Sequence, residues 1–359
     1  MMKGSHEEAL RAMIEAFEDR FRRRLLVRES EPNAEGPLSF VLPTSVGEVE
    51  LLSEVAQRYS VALVAQGART AYEPGSEKGV LLVRFDLMRR TRLPANFEEP
   101  WAEAEAGTLW LELDDELHAR ARGLTVYPTS APRTTIGGWM AMDGLGVGSF
   151  EYGWLRENVL SADVVLPGGE RRKVRGEELH SFVGPSSGSA GIVVGATLRT
   201  RRVDADVPFS ATFTNAEDLV RAVMGVLEAG VPLWHLGFLD PQMAYARSLG
   251  EEHLLFGAYP RERGGAVEED LRNIIESCRG AGLSAAETYR VWGQRFFPVA
   301  PSHPIPSASR EFVSVADLLE ALGGAVSRPE HIALQGTVAR TGEVLLLSVD
   351  TRGLGWTRA

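Results

Sequence analysis

The stretch TTIGGWMAMDGLGVGSFEYG, from Thr134 to Gly153, places glycine at Gly137, Gly138, Gly144, Gly146, Gly148 and Gly153. Glycine permits positive φ and lets main chain approach a ligand closely. Thr134, Thr135 and Ser149 add hydroxyl donors. Ile136, Trp139, Met140, Met142 and Leu145 make the loop apolar enough to be buried. A buried loop must satisfy its backbone N–H groups, and a bound anion or polar heterocycle would do so. Two other turns have the same character. AQGARTA, Ala65 to Ala71, follows the apolar run VALV, and GPSSGSAGIVV, Gly184 to Val194, leads into a branched strand. A strand that runs into a small-residue turn offers its amides to phosphate.

The turn at Gly67 is not a dinucleotide fingerprint of the Rossmann kind. Asp86 lies near the expected distance beyond it, but that motif needs a helix between glycines and acid. YEPGSEKG places Pro74 and two glycines where the helix would run. No Gly-Lys-Ser/Thr follows, so it is not a P-loop either. The chain makes a compact loop and returns as the strand GVLLVRFD.

The elements that must hold these turns follow from pattern. Residues 6–28 read as an amphipathic helix, and SEPNAEGPLS breaks it. FVLP is a strand, and TSVGEVELLSEVAQRYS a helix capped by Thr44. VALVAQG and GVLLVRFD are strands, which gives β-α-β-loop-β and a small parallel unit. WAEAEAGTLWLELDDELHARARGLTVYP reads strand, helix, strand. VLSADVVLPGGERRKV is a hairpin turning at Pro167-Gly168-Gly169.

Beyond Asp204 the strands SATFT, PLWHLGFLD, HLLFGAYP and LSAAETYRV alternate with the helices NAEDLVRAVMGVLEAG and VEEDLRNIIESCRGAG. That is the β-α-β-β-α-β order of a ferredoxin-like sheet with helices on one face. FFPVAPSHPIPS is an irregular loop. REFVSVADLLEALGGAV reads as a helix and HIALQGTVARTGEVLLLSV as a hairpin.

Composition narrows the chemistry. A chain of 359 residues exceeds one ordinary core and predicts two domains. The expected bounds are an N-terminal helix and linker over 1–35, a first domain over 36–203 and a second over 204–359. The net charge of −11 argues against nucleic acid as a main partner. No apolar run reaches the roughly 18–20 residues of a membrane span, so no integral membrane segment is expected. The N-terminus lacks a secretory pattern, and the single cysteine, Cys278, makes no internal disulfide, so a cytoplasmic protein is expected. His235, His253, His303 and His331 are isolated in sequence, so no metal is expected.

The order of the three turns resembles the FAD-binding domain of the vanillyl-alcohol oxidase, or PCMH, type. The likeness runs from about Phe40 to Arg201 and rests on LPTSVGEVELLSEVAQRYSVALVAQGARTA, YPTSAPRTTIGGWMAMDGLGVGSFEYG, VLPGGE and GSAGIVVGATLR. It implies an α+β fold: a two-subdomain PCMH-type FAD-binding domain followed by a ferredoxin-like α+β cap domain. On the resemblance FAD would lie against Gln66, Gly67, Ala68, Arg69 and Thr70 of the first turn. The second would contribute Pro128, Ser130, Thr135, Gly137, Gly138, Asp143 and Gly144, and the third Gly188, Gly191 and Ile192. In the family's logic the glycines bring main-chain N–H groups to the diphosphate. The family's first turn carries three consecutive glycines, where this chain has Gly67-Ala68-Arg69, and an amide stands where this chain has Asp143. No histidine or cysteine is placed for covalent attachment, so noncovalent FAD is expected.

The second half is similar to the cap of the glycolate and D-lactate dehydrogenase branch through VWGQRFFP, which holds its Trp-x-x-Arg-Phe pattern at Trp292, Arg295 and Phe296. Oxidising a 2-hydroxy acid on a flavin requires a cation for the carboxylate, best supplied by arginine, and a base for the hydroxyl proton. Arg295 is the candidate anchor and His235 or His303 the candidate base, with Trp234, Trp292 and Tyr259 as walls. The expected function is an FAD-dependent oxidoreductase of a small 2-hydroxy acid that passes electrons to an electron-accepting protein or iron–sulfur subunit. The alternative is a non-catalytic FAD-binding, or flavin-free, scaffold subunit of a glycolate-oxidase-like complex.

Overall fold

A computed structural model describes residues 3–16, 25–28, 38–68, 80–96, 98–184, 190–203, 205–297, 309–323 and 331–351. In chain order the first elements are α1 (Lys3–Ala16), β1 (Leu25–Arg28), β2 (Leu38–Val41), α2 (Val46–Tyr59), β3 (Ala62–Gln66), β4 (Val80–Arg84), β5 (Thr91–Arg92), β6 (Trp101–Glu105) and α3 (Trp110–His118). Next come β7 (Arg122–Leu124), α4 (Ile136–Met140), α5 (Ser149–Tyr152), α6 (Leu155–Asn158), β8 (Val159–Val165), β9 (Arg171–Val174) and β10 (Ile192–Arg202). The remainder is β11 (Asp206–Phe213), α7 (Ala216–Glu228), β12 (His235–Leu239), α8 (Pro241–Ala246), β13 (His253–Pro260), α9 (Gly264–Ser277), β14 (Ala281–Gly282), α10 (Ala285–Gly293), β15 (Ser309–Ser314), α11 (Leu318–Ala321), β16 (Ile332–Val338) and β17 (Glu343–Asp350). Among the described residues no helix is long and apolar enough to cross a membrane.

The chain forms two compact units. One comprises Met1–Glu116, Ala131–Asp143 and Val159–Thr200, and the other Leu117–Ser130, Gly144–Asn158 and Arg201–Ala359. In the first unit β4 pairs in parallel with β2 and with β3, in the order β1-β2-β4-β3. This is the expected parallel unit, with α2 as its crossover. The start of α2 differs by one position. Ser45, extended at φ −154° and ψ 158°, is the cap and accepts from Glu48 N. Thr44 instead donates through N and Oγ1 to Glu48 Oε2, at 2.7 and 3.0 Å. The N-terminal helix is also shorter than expected. Its predicted end, Leu25–Arg28, is a strand because the apolar run LLVR pairs antiparallel with Leu38–Val41.

A second, antiparallel sheet runs β5-β6-β10-β8-β9. Val49, Leu52 and Ala56 of α2 pack with Leu81 and Val83 of β4 and with Val165, Ile192 and Val194 of this sheet, so both sheets share one core. Full burial of each aliphatic side chain contributes about 1.5–3 kcal/mol.

The second unit is built on a seven-stranded sheet, β14-β11-β13-β12-β16-β17-β15. Its first four strands lie in the interleaved order of a β-α-β-β-α-β unit and pair antiparallel throughout. Helices cover both faces rather than one. Leu255 of β13 packs with Val223 of α7 and Leu271 of α9. Its neighbours Leu254 and Phe256 point the other way, onto Met243 of α8 and Val291 of α10.

The sequence LSAAETYRV is not a strand. Only Ala281–Gly282 pairs, and α10 follows behind a capping box in which Ser284 Oγ accepts from Glu287 N while Ser284 N donates to Glu287. The predicted helix over REFVSVADLLEALGGAV divides. Ser309–Ser314 pairs along β17 and only Leu318–Ala321 is helical, because Phe312 and Val313 suit a sheet edge.

Candidate functional site

Within the first unit two of the predicted turns touch. Gly67, at the end of β3, packs against Thr135 and Gly138, so that a Cβ at Gly67 would lie 2.8 Å from Thr135 Oγ1 and 3.0 Å from Gly138 Cα. The third turn is tied to the same place, since Gly184 N donates to Met140 O at 2.8 Å. Gly191, at φ 158°, leads into β10 beside Val165 O and Phe182, and Ile192 is buried in the core of this unit. Ala68 is exposed at the rim. Gln66 is buried. Arg69, Thr70 and Gly188 lie outside the described residues.

The glycines of α4 act differently from the expectation. Thr135 is extended at φ −83° and ψ 157° and caps the helix, accepting from Gly138 N at 3.2 Å. Ile136 N donates to Thr108 O and Gly137 N to Ala106 O, at 2.8 and 2.9 Å. The amides of Gly137 and Gly138 are therefore bonded inside the protein. These glycines supply close approach of turn to turn, and the donors for a ligand must come from elsewhere on the ledge. Asp143 is buried, with φ 48°, and its N–H is held by Trp139 O.

The remaining predicted residues lie in the second unit. Gly144 O accepts from Leu155 N at 3.0 Å. Pro128 is buried and Ser130 half-buried in the segment after β7. That segment carries the neighbourhood of Arg295. Arg295 Nε donates to Tyr127 Oη at 3.1 Å, and Phe297 N donates to Thr129 O at 2.8 Å. The Arg295 guanidinium lies 4.6 Å from the Trp292 ring and 4.3 Å from the Phe296 ring, and Nη1 donates to Trp292 O. No carboxylate among the described residues pairs with it. A half-buried arginine stacked between aromatic faces and without an acid is arranged to receive an anion.

His235 reaches the same cluster. Its ring is 5.9 Å from Trp292, and Trp234 lies 6.1 Å from both Trp292 and Tyr127. His235 is 1% exposed and its Nδ1 has no hydrogen-bond partner among the described residues. Burial, with the charge of Arg295 second, pushes its imidazole down to about 3. A group so weakly basic is a poor acceptor for an alcohol proton, so the geometry does not favour His235 as the base. His303 lies outside the described residues. Tyr259 does not wall this cluster: it is on the opposite face of β13, where Oη donates to Glu268 at 3.0 Å. No His/Cys/Asp/Glu cluster among the described residues could hold a metal.

Residues 37–175 match the family model described as an FAD binding domain. This segment is an FAD binding domain. The chain is 27% identical over 252 residues to the mitochondrial D-lactate dehydrogenase [cytochrome] of Arabidopsis thaliana, covering 64% of this chain and 44% of that protein. It thus spans less than half the length of that relative. Among solved structures, an alkyldihydroxyacetonephosphate synthase superposes with TM-score 0.74 at 18% identity, covering 95% of this chain and 75% of the other. The 4-ethylphenol oxidase from Gulosibacter chungangensis superposes with TM-score 0.72 at 15% identity, covering 96% and 84%. The fold is accordingly that of PCMH-type flavoproteins.

The FAD domain's own residues fit such a ligand in one respect: Gly67 and Gly138 meet without side chains of their own, which lets main chain come close to a flat group. Sequence reasoning missed Tyr127, whose hydroxyl accepts from the candidate anchor. TVYPTS gives no sign of where that hydroxyl points. It also missed Arg247 and Gln335, which meet the backbone of Gln294 and Arg295.

Proposed function

We propose that the chain binds FAD noncovalently and oxidises a small 2-hydroxy acid of the D-lactate or glycolate type. The observation that carries the reading is Arg295, a half-buried cation between Trp292 and Phe296 with no acid partner among the described residues. The FAD domain and the D-lactate dehydrogenase relative support it. In this reading Arg295 binds the carboxylate through Nη2, which the Tyr127 and Trp292 bonds leave available. The rings of Trp292 and Phe296 shield that contact from water and strengthen it. The bound FAD would supply the acceptor for the two electrons and the carbinol hydrogen, and the hydroxyl proton would pass to water. Electrons then pass to an acceptor protein or iron–sulfur subunit, in the cytoplasm.

The test is anaerobic titration of the FAD-loaded protein with D-lactate and with glycolate, followed by flavin absorbance. Bleaching by either acid is the expected result. A flavin that stays oxidised with both overturns the catalytic reading and favours the alternative, an FAD-carrying subunit without turnover of its own.

A further inference from the structure

Helix α8 (Pro241–Ala246) is capped by Asp240 at its start and Arg247 at its end. Arg247 is buried, as is Gln335 of β16. Arg247 Nη1 donates to Gln294 O, and Nη2 donates to Gln335 Oε1 at 2.6 Å. Gln335 Nε2 then donates to Arg295 O at 2.8 Å. Two successive carbonyls, those of Gln294 and Arg295, are thus gripped by side chains from α8 and β16. Asp240 caps α8 through Met243 N and offsets part of the cost of burying the guanidinium.

A buried arginine is an expensive way to terminate a six-residue helix. Its Nε has no hydrogen-bond partner among the described residues, and an apolar side chain of similar volume would fill the space without the desolvation penalty. What the arginine does that a methionine cannot is fix a peptide. The N–H groups of Gln294 and Arg295 bond to Val291 O and Trp292 O, and Arg247 and Gln335 hold the carbonyl side of the same stretch beyond the end of α10. We infer that Arg247 and Gln335 are positioning residues for Arg295: they lock the Gln294–Arg295 backbone so that the guanidinium stays between Trp292 and Phe296, facing the substrate carboxylate. The inference rests on the anchor role proposed for Arg295. The guanidinium end is held by Tyr127 Oη and Trp292 O, and the backbone end by the Arg247–Gln335 pair, so the side chain is fixed at both ends.

Gln335→Glu separates positioning from general stability. A glutamate still accepts from Arg247, as a buried ion pair, but has no proton to donate to Arg295 O. The full-length, FAD-loaded protein is titrated with oxalate by calorimetry, and its thermal unfolding is recorded. For Gln335→Glu we expect unfolding within a few degrees of the parent and oxalate affinity weaker by roughly three- to tenfold, as for loss of one hydrogen bond. Arg295→Lys serves as the control for the anchor and should weaken oxalate more. Unchanged oxalate affinity in Gln335→Glu alongside a weakened Arg295→Lys overturns the positioning role and leaves the anchor standing. Unchanged affinity in both overturns both. If Gln335→Glu does not fold, Gln335→Met, which also lacks the donor, is read in the same way.

Discussion

Phe297 N donates to Thr129 O at 2.8 Å, next to the bond between Arg295 Nε and Tyr127 Oη. Residues 168 positions apart in the chain are therefore joined side by side. The segment holding Pro128 and Ser130, expected to line the cofactor, and the segment holding Arg295, the proposed carboxylate anchor, are joined by these bonds. Loss of register in either moves the other.

Arg295→Met removes the charge that lies over the Trp292 and Phe296 rings. Binding of a 2-hydroxy acid should weaken by roughly 10- to 100-fold, the worth of a charge-assisted hydrogen bond or two. Retention of FAD should be unaffected. Steady-state KM and the flavin content of the purified variant check both halves of this expectation.

Gly138→Ala pits two effects against each other. In a helix the change ordinarily stabilises by about 0.5–1 kcal/mol. Here the new Cβ would stand 2.9 Å from Thr135 Oγ1, with Gly67 Cα 3.6 Å away. Overpacking of this kind costs about 1–3 kcal/mol and outweighs the helical gain. Gly265→Ala in α9 meets nothing within 4 Å and should stabilise by a few tenths of a kcal/mol to about 1. Urea unfolding of the pair should give shifts of opposite sign.

His235 makes stability depend on pH. Its folded value, about 3, lies below the ordinary 6.5. Between those values the unfolded chain holds the extra proton, so stability is complete above about pH 6.5 and falls as pH drops toward 3. The limiting slope is about 1.4 kcal/mol per pH unit. Carboxylates titrate over part of the same range, so the contribution is read as a difference. His235→Phe should unfold with a shallower acid slope than the parent between pH 6 and 4. Parallel slopes would show that His235 is not buried neutral.

Arg201 and Asp206 form a bidentate pair at 2.9 and 2.6 Å, and Arg201 lies 3.6 Å over the Trp234 ring. Both side chains are largely enclosed. Asp206→Ala strands the guanidinium and should cost about 3–5 kcal/mol. Adding Arg201→Met to that background should recover much of the loss. A thermal unfolding cycle over the four proteins measures this coupling.

Much of the architecture was written in local pattern. The β2-α2-β3 opening follows from the capping residues before Val46 and the branched runs around it, and the hairpin at Pro167-Gly168-Gly169 from its turn chemistry. The exceptions have physical causes. Ser284 and Glu287 form a capping box whose spacing signals a helix, but the residues after it, AAETYRV, also suit a strand. Both faces of the large sheet are covered, and only the alternation of Leu254, Leu255 and Phe256 between two cores reveals it. At the candidate site, the meeting of Gly67 with Gly138 was legible as an order of turns. The amide bonds of Gly137 and Gly138 were not, because their acceptors, Ala106 O and Thr135 Oγ1, are defined only by folding. Arg247 carries no local signal of its role, because its partner Gln335 comes from β16.

The amides of Ile136, Gly137 and Gly138 already find acceptors in the polypeptide. Among the described residues these amides need no nucleotide to complete their hydrogen bonding. On the proposed reading the coenzyme docks against bonds already made, and protein stripped of FAD should regain it at room temperature without refolding.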